Sequence, residues 1–346
     1  MLPEEITISQ NIFTDIQAFF NSSDYDKVAV LLDENTREHC LPLVQQSMQP
    51  TTIIEIKSGE EQKTLDTCTN IWSHLTDHQF ERKSLMVNLG GGVIGDMGGF
   101  CAATYKRGIH FINIPTTLLA QVDASIGGKL GIDFLGFKNH IGVFRLPQKV
   151  FIDTQFLNTL PERELRSGFA EVIKHCLIAD ADYWKKVSSR ELATQPWPEI
   201  VEHSVQVKNK VVESDPFENG YRKILNYGHT VGHAIESYYL NYREKKLLHG
   251  EAIAAGMICE AYLSAWNCGL TETVIQDIQE YILGIFGKVD IHPEEIAKIT
   301  ALCMQDKKNE KGSINLSLLE DIGHPVINLV VGQDEIIKSI QRYLEL

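Results

Sequence analysis

The feature that most restricts this chain is a run of glycines set directly after an apolar stretch. Ser84-Leu-Met-Val-Asn-Leu89 reads as a buried strand, and Gly90-Gly-Gly-Val-Ile-Gly-Asp96 follows it without a spacer, before the helical pattern from Met97 to Tyr105. A strand ending in consecutive glycines can turn sharply. Its backbone N–H groups can then approach a diphosphate closely, and the next helix adds a favourable dipole. The spelling departs from Gly-x-Gly-x-x-Gly, so the strand–turn–helix context carries the dinucleotide reading; a plain tight turn accounts for the glycines alone.

Three more β-rich runs, Lys27-Val-Ala-Val-Leu-Leu32, Thr51-Thr-Ile-Ile-Glu-Ile56 and His110-Phe-Ile-Asn-Ile114, alternate with helical patterns over the first 150 or so residues. That alternation predicts an α/β parallel sheet, a Rossmann-like domain over residues 1–153. Ser58-Gly-Glu-Glu-Gln-Lys63 and Pro115-Thr-Thr117 also follow strand ends, where such sheets place ligands. After Phe151-Ile-Asp153 the pattern becomes long and amphipathic, with helical stretches at 162–178, 198–213, 224–239 and 250–266. Residues 154–346 are therefore expected to form a mostly α-helical domain.

The formal net charge of −14 excludes nucleic acid and an anionic membrane surface as partners, since both require a basic face. Between Thr104 and Lys149 the sign reverses: Lys106, Arg107, Lys129, Lys138, Arg145 and Lys149 stand against Asp123 and Asp133. A local reversal of this kind suits a small anionic ligand, and equally a solvated basic face. No run approaches the roughly 18 uncharged apolar residues of a membrane helix. Met1-Leu-Pro-Glu-Glu lacks the basic and apolar regions of a secretory signal, so the cytoplasm is the expected compartment. The seven cysteines are scattered, with no Cys-x-x-Cys spacing, and read as reduced, packed thiols.

In Asn226-Tyr-Gly-His-Thr-Val-Gly-His233 the imidazoles of His229 and His233 stand four residues apart and can share one helix face. His249-Gly-Glu251 opens the next helical pattern, and Glu171 lies on an earlier one. One carboxylate with two imidazoles is a catalytic zinc set that leaves a fourth position for substrate. Spacing does not choose among the three histidines, although His229 with His233 is the obvious chelating pair.

Taken in order, Gly90-Gly-Gly-Val-Ile-Gly-Asp-Met-Gly-Gly-Phe100, Arg107-Gly108, Ile114-Pro-Thr-Thr-Leu-Leu-Ala-Gln-Val-Asp-Ala-Ser-Ile-Gly-Gly-Lys129, Lys138-Asn139, Ser167-Gly-Phe-Ala-Glu-Val-Ile-Lys174, Leu225-Asn-Tyr-Gly-His-Thr-Val-Gly-His-Ala234 and His249-Gly-Glu251 resemble the 3-dehydroquinate synthase family over nearly the whole chain. The resemblance implies Glu171, His229 and His249 as ligands of zinc, with cobalt fitting the same donors, and moves His233 to the substrate side. It implies that NAD meets Asp33, Asn35, Glu60, Lys63, then Gly91, Gly92, Val93, Ile94, Gly95 and Asp96 of the glycine turn. Thr116, Thr117, Asp123, Lys129 and Lys138 join them, with Phe156, Leu157, Asn158 and Thr159. Catalytic and substrate contacts carried over by motif are Arg107, Asp123, Lys129, Asn139, Lys174, Lys208, Arg222, Asn226 and His233, with one of Lys307 and Lys308.

The activity so implied is a phosphate-eliminating lyase of the shikimate pathway. It acts on a small anionic sugar phosphate, 3-deoxy-D-arabino-heptulosonate 7-phosphate, with catalytic NAD and a divalent metal in a homodimer. Guanidinium and ammonium groups suit both the phosphate and the carboxylate of that substrate. Rival readings are a related sugar phosphate cyclase making 2-deoxy-scyllo-inosose or a valiolone, a metal-dependent polyol dehydrogenase, and a non-catalytic NAD-binding regulator. Leu130, where a small polar residue is expected, and a long 238–248 connection depart from the family pattern.

Overall fold

The computed structural model describes residues 2–135, 137–304 and 314–346, and the chain divides into two compact units. The first comprises Met1–Leu165 with Trp197–Asn209; the second comprises Arg166–Pro196 with Lys210–Leu346.

Among the described residues, eight strands lie in the first unit: β1 (Ile6–Ser9), β2 (Val28–Asp33), β3 (Thr52–Ile56), β4 (Leu85–Gly90), β5 (His110–Pro115), β6 (Lys129–Phe134), β7 (Phe137–Phe144) and β8 (Lys149–Asp153). Six of them form one parallel sheet in the order β1-β8-β5-β4-β2-β3, while β6 and β7 pair as an antiparallel hairpin. Alternation along the strands divides the core in two. Val28, Val30 and Leu32 pack with Leu85, Val87 and Leu89 toward the helices Ile12–Asn21 and Leu41–Met48. Ala29, Leu31 and Met86 face the other way, toward the helices Leu65–Asp77 and Gly92–Thr104. Covering both faces is what the inner strands of a parallel sheet require, because β2, β4, β5 and β8 are buried along nearly their whole length.

The chain runs outward from β2 to β3, returns to β4 on the other side of β2, and continues to β5. Neighbouring β2 and β4 therefore mark the switch point of the sheet, and their carboxyl ends carry Asp33 and the glycine turn. The glycine-rich helix is pressed onto these strands. A Cβ on Gly98 would run into Asn88 Oδ1 and come within 2.7 Å of Leu31 Cδ2.

The second unit is mostly helical, with helices Ala181–Ser188, His229–Tyr242, His249–Cys268, Glu272–Phe286, Ile296–Met304 and Gln333–Leu344 and the longer part of Glu162–Ala179. It also contains a two-stranded antiparallel hairpin, β9 (Ile314–Asp321) with β10 (His324–Val331). The helical stretch expected at 224–239 divides: a 3₁₀ segment covers Tyr221–Asn226, and the helix proper begins at His229. Gly228 causes the break, since its φ of 79° is left-handed and open to glycine at little cost. Among the described residues, no helix is long and apolar enough to cross a membrane.

Replacing Gly98 by alanine should overpack the sheet–helix contact and destabilise the protein by about 1–3 kcal/mol. Denaturant unfolding measures this, and wild-type stability in Gly98→Ala would show that the helix can lift off the sheet freely.

Candidate functional site

The first unit gathers most of the predicted dinucleotide residues at the carboxyl edge of its sheet. Gly91 occupies the N-cap of Gly92–Thr104 without a side-chain cap, which leaves the first N–H groups of the helix available to an acceptor. A Cβ on Gly91 would sit 3.0 Å from Thr117 Cγ2, so this strand–helix turn and the Thr116-Thr117 loop leave little room for a side chain. Gly90, Gly91, Gly92 and Gly95 line a small hollow with Pro115, Ala120 and Ala124. Asp33 closes β2 and caps the helix Glu34–His39: its Oδ1 accepts the Thr36 N–H at 2.8 Å, and Thr36 Oγ1 accepts the Asp33 N–H at 2.9 Å. Asn35 lies exposed on that helix.

Cations and carboxylates interlock beside this edge. Lys63, only 3% exposed, donates to Asp96 Oδ2 at 2.7 Å and to Asn139 Oδ1 at 2.6 Å. Burial pulls the Lys63 ammonium down, but Asp96 and Glu60 outweigh it and hold the group above its ordinary value. Lys138 pairs with Glu60 at 3.3 Å, and Lys208 with Asp123 at 2.7 Å. Arg107 is exposed in a left-handed conformation (φ 68°), between Lys106 (φ 49°) and Gly108 (φ 115°). Lys129 is exposed at the start of β6. Phe156 and Leu157 are buried, and Asn158 and Thr159 exposed, in the 3₁₀ segment after β8. Val93 and Ile94 occupy the first helical turn after the glycines.

In the second unit, Glu171 has no solvent exposure, and its carboxylate is ion-paired with Lys174 one helical turn on. His229 Nε2 lies 3.2 Å and His249 Nε2 3.4 Å from the same oxygen, Glu171 Oε1. His233 completes a group of three imidazoles whose nearest ring nitrogens all fall within 4.8 Å of one another. Burial would raise the Glu171 carboxyl, yet Lys174 and His229 hold it well below the usual carboxylate range. Burial and the Lys174 charge push His229 down. For His249, burial works in the same direction, but Glu236 and Glu171 override it and lift the imidazole to about 9. A carboxylate with imidazoles around it is a donor set that fits a divalent ion, which would take the place of the Nε2 protons.

Backbone packing fixes these groups. The Gly250 N–H donates to Ser167 Oγ at 3.0 Å, and a Cβ on Gly250 would strike the Ser167 backbone, so the His249 helix starts directly against the Glu171 helix. Glu251 reaches back to the Leu248 N–H at 2.8 Å and closes that start. The His229 helix has no local side-chain cap; the buried Glu260 supplies one from the neighbouring helix, accepting from Gly228 N at 2.6 Å and Val231 N at 3.1 Å. The motif His249-Gly-Glu251 carried Glu251 without a role, and Glu236 and Glu260 were passed over; the 229, 233, 236 spacing was the available signal for Glu236.

Arg222 and Asn226 sit in the segment after Asp215, whose carboxylate accepts from the N–H groups of Asn219, Gly220 and Arg222. The Arg222 guanidinium is buried and donates to the Pro216 carbonyl at 2.6 Å, while Asn226 donates to Glu218 Oε1 at 3.0 Å. Lys307 and Lys308 lie outside the described residues.

The fold is that of the sugar phosphate cyclases. It matches a crystal structure of 2-deoxy-scyllo-inosose synthase complexed with carbaglucose-6-phosphate, NAD+ and Co2+ at a TM-score of 0.87 and 24% identity, over 97% of this chain and 96% of that one. Within that class the sequence decides: residues 53–167 match the 3-dehydroquinate synthase N-terminal model and residues 168–309 the C-terminal model, and the chain belongs to the 3-dehydroquinate synthase family. A 3-dehydroquinate synthase of Parabacteroides distasonis is 41% identical over 100% of this chain and 99% of its own length. That of Sulfurovum sp. is 38% identical over the same shares.

The raised His249 imidazole has a consequence for stability in the metal-free protein. Its unfolded value is about 6.5, so its stabilising contribution is fully present below about pH 6.5 and is lost as pH rises through about 9. His229 is pushed the other way, so it adds no loss of stability as pH rises across that window. Thermal unfolding of metal-free protein from pH 6.5 to 9.5 should therefore fall more steeply in wild type than in His249→Gln. Parallel curves would contradict the assignment.

Proposed function

We propose that this chain converts 3-deoxy-D-arabino-heptulosonate 7-phosphate into 3-dehydroquinate and orthophosphate. NAD would be held at the glycine turn, and zinc or cobalt by Glu171, His229 and His249. The observation that carries the reading is the buried Glu171 oxygen with two imidazole Nε2 atoms within 3.4 Å. Curated relatives named 3-dehydroquinate synthase, aligned over the whole chain at 38–41% identity, support the substrate.

Bound NAD supplies reversible hydride transfer and the divalent ion a Lewis acid toward an alcohol oxygen. The remaining work falls to side chains of this chain. Lys208, Arg222 and Lys129 neutralise the two anionic ends of the substrate, the guanidinium by a planar fork and the ammonium groups as point charges. Asn226 and Asn139 orient hydroxyls through their amides. Lys174 keeps Glu171 ionised, and Lys174 and His233 would serve in proton relay and hydrogen bonding to the substrate. The substrate's own leaving phosphate can accept the proton of the elimination, so no protein base is assigned to that step. The overall conversion, loss of phosphate with ring closure, carries no net oxidation, so bound NAD would be needed only in catalytic amount.

The deciding assay mixes pure protein, NAD, Zn2+ and the heptulosonate phosphate. Orthophosphate and cyclised product should form in equal amounts without net NADH. Accumulating NADH would favour a polyol dehydrogenase, and absence of phosphate release would overturn the proposal. His249→Ala should lose zinc retention and phosphate release together; full activity in zinc-free His249→Ala would remove the metal assignment. Arg222→Ala should lower kcat/KM about 10- to 100-fold, the scale of one charge-assisted hydrogen bond. Steady-state kinetics check this.

A further inference from the structure

Glu236 lies on the helix His229–Tyr242, seven residues after His229 and three after His233, so the helical repeat sets all three on one face. Its side chain is only 6% exposed, and its Oε2 stands 3.4 Å from His249 Nδ1. The opposite nitrogen of that ring, Nε2, is the one facing Glu171 Oε1 at 3.4 Å. His229 repeats the arrangement with a different anchor: its Nδ1 meets the Tyr227 carbonyl at 3.0 Å, and its Nε2 meets the same Glu171 oxygen at 3.2 Å. A carbonyl oxygen and a carboxylate can only accept, so each ring keeps a hydrogen on Nδ1, and Nε2 is the nitrogen whose proton a divalent ion beside Glu171 would displace.

We propose that Glu236 is a positioning residue for the metal centre: through Nδ1 it fixes the tautomer and the orientation of the His249 ring, and thereby sets the affinity for the divalent ion. The inference rests on the metal centre proposed above. Glu236 lies among the buried residues Ala234, Ile235, Tyr238 and Tyr239, where a carboxylate is costly unless it is engaged. Its contact with His249 gives the position a purpose that packing alone does not. Carboxylates bonded to the outer nitrogen of a ligating histidine raise its basicity and hold its plane.

The test titrates the metal-free full chain with Zn2+ against a chromophoric chelator and records thermal unfolding of the metal-free protein alongside. Glu236→Gln keeps the shape and removes the charge; Glu236→Ala removes the contact. Both should weaken Zn2+ binding, by about 10- to 100-fold, with alanine the weaker binder. Tyr238→Phe, which deletes a 3.0 Å hydrogen bond to Glu295 from the same helix, should lower the unfolding temperature and leave Zn2+ affinity at the wild-type value. If Glu236→Ala does not fold, the isosteric Glu236→Gln decides. Zn2+ affinity in Glu236→Gln equal to wild type, or lowered no more than in Tyr238→Phe, overturns the inference. A wild-type chain that takes up no Zn2+ overturns the metal centre itself, an outcome visible before any variant is made.

Discussion

A carboxylate without solvent has to find its compensation inside the protein, and Glu171 organises the second unit on those terms. An unpaired buried charge costs several kcal/mol, and the loss is recovered only where cationic or hydrogen-bonding groups close around it. Lys174 comes from the same helix, one turn on, while His229 and His249 come from the first residues of two others. The three helices can converge because glycine replaces side chains where they meet: Gly250 against Ser167, and Gly256 against the backbone of Gly228 and Gly232. The site is thus a product of backbone contact as much as of ligand choice.

The first unit solves a different problem. Its central strands are packed on both faces, so polar function gathers at the strand ends, where the switch between β2 and β4 sets Asp33 and the glycine turn on one edge. The glycine turn, Asp33, and the Lys63–Asp96–Asn139 group all belong to that edge or to loops beside it. The buried Lys63 amine is charged because Asp96 and Glu60 face it, which ties the loop after β3 to the glycine-rich helix.

Much of this was legible in the residues. The four β-rich runs became β2, β3, β4 and β5 within a residue at either end, since period-two alternation between two apolar faces leaves few other solutions. The glycine turn was placed correctly as the strand–helix junction. Less visible were β1, only four residues long, and the hairpins β6–β7 and β9–β10, whose pairing depends on partners rather than on local pattern. Residues 197–209 group with the first unit although their amphipathic pattern is that of an ordinary helix, because an apolar stripe does not name the surface it covers. Spacing offered His229 and His233 as a pair; the three-dimensional cluster adds His249 at comparable range, and only the family resemblance had separated their roles. Glu236 and Glu260 escaped notice because a glutamate on a helix looks solvated until its neighbours are known.

The capping of the His229 helix by Glu260 also bears on the order in which a growing chain can mature. Thirty-two residues separate Gly228 from the carboxylate that accepts its N–H. Until Glu260 has left the ribosome, the first N–H groups of that helix lack the carboxylate that accepts them. All three acidic and imidazole donors are synthesised by residue 249, yet their common geometry waits on a residue that follows them.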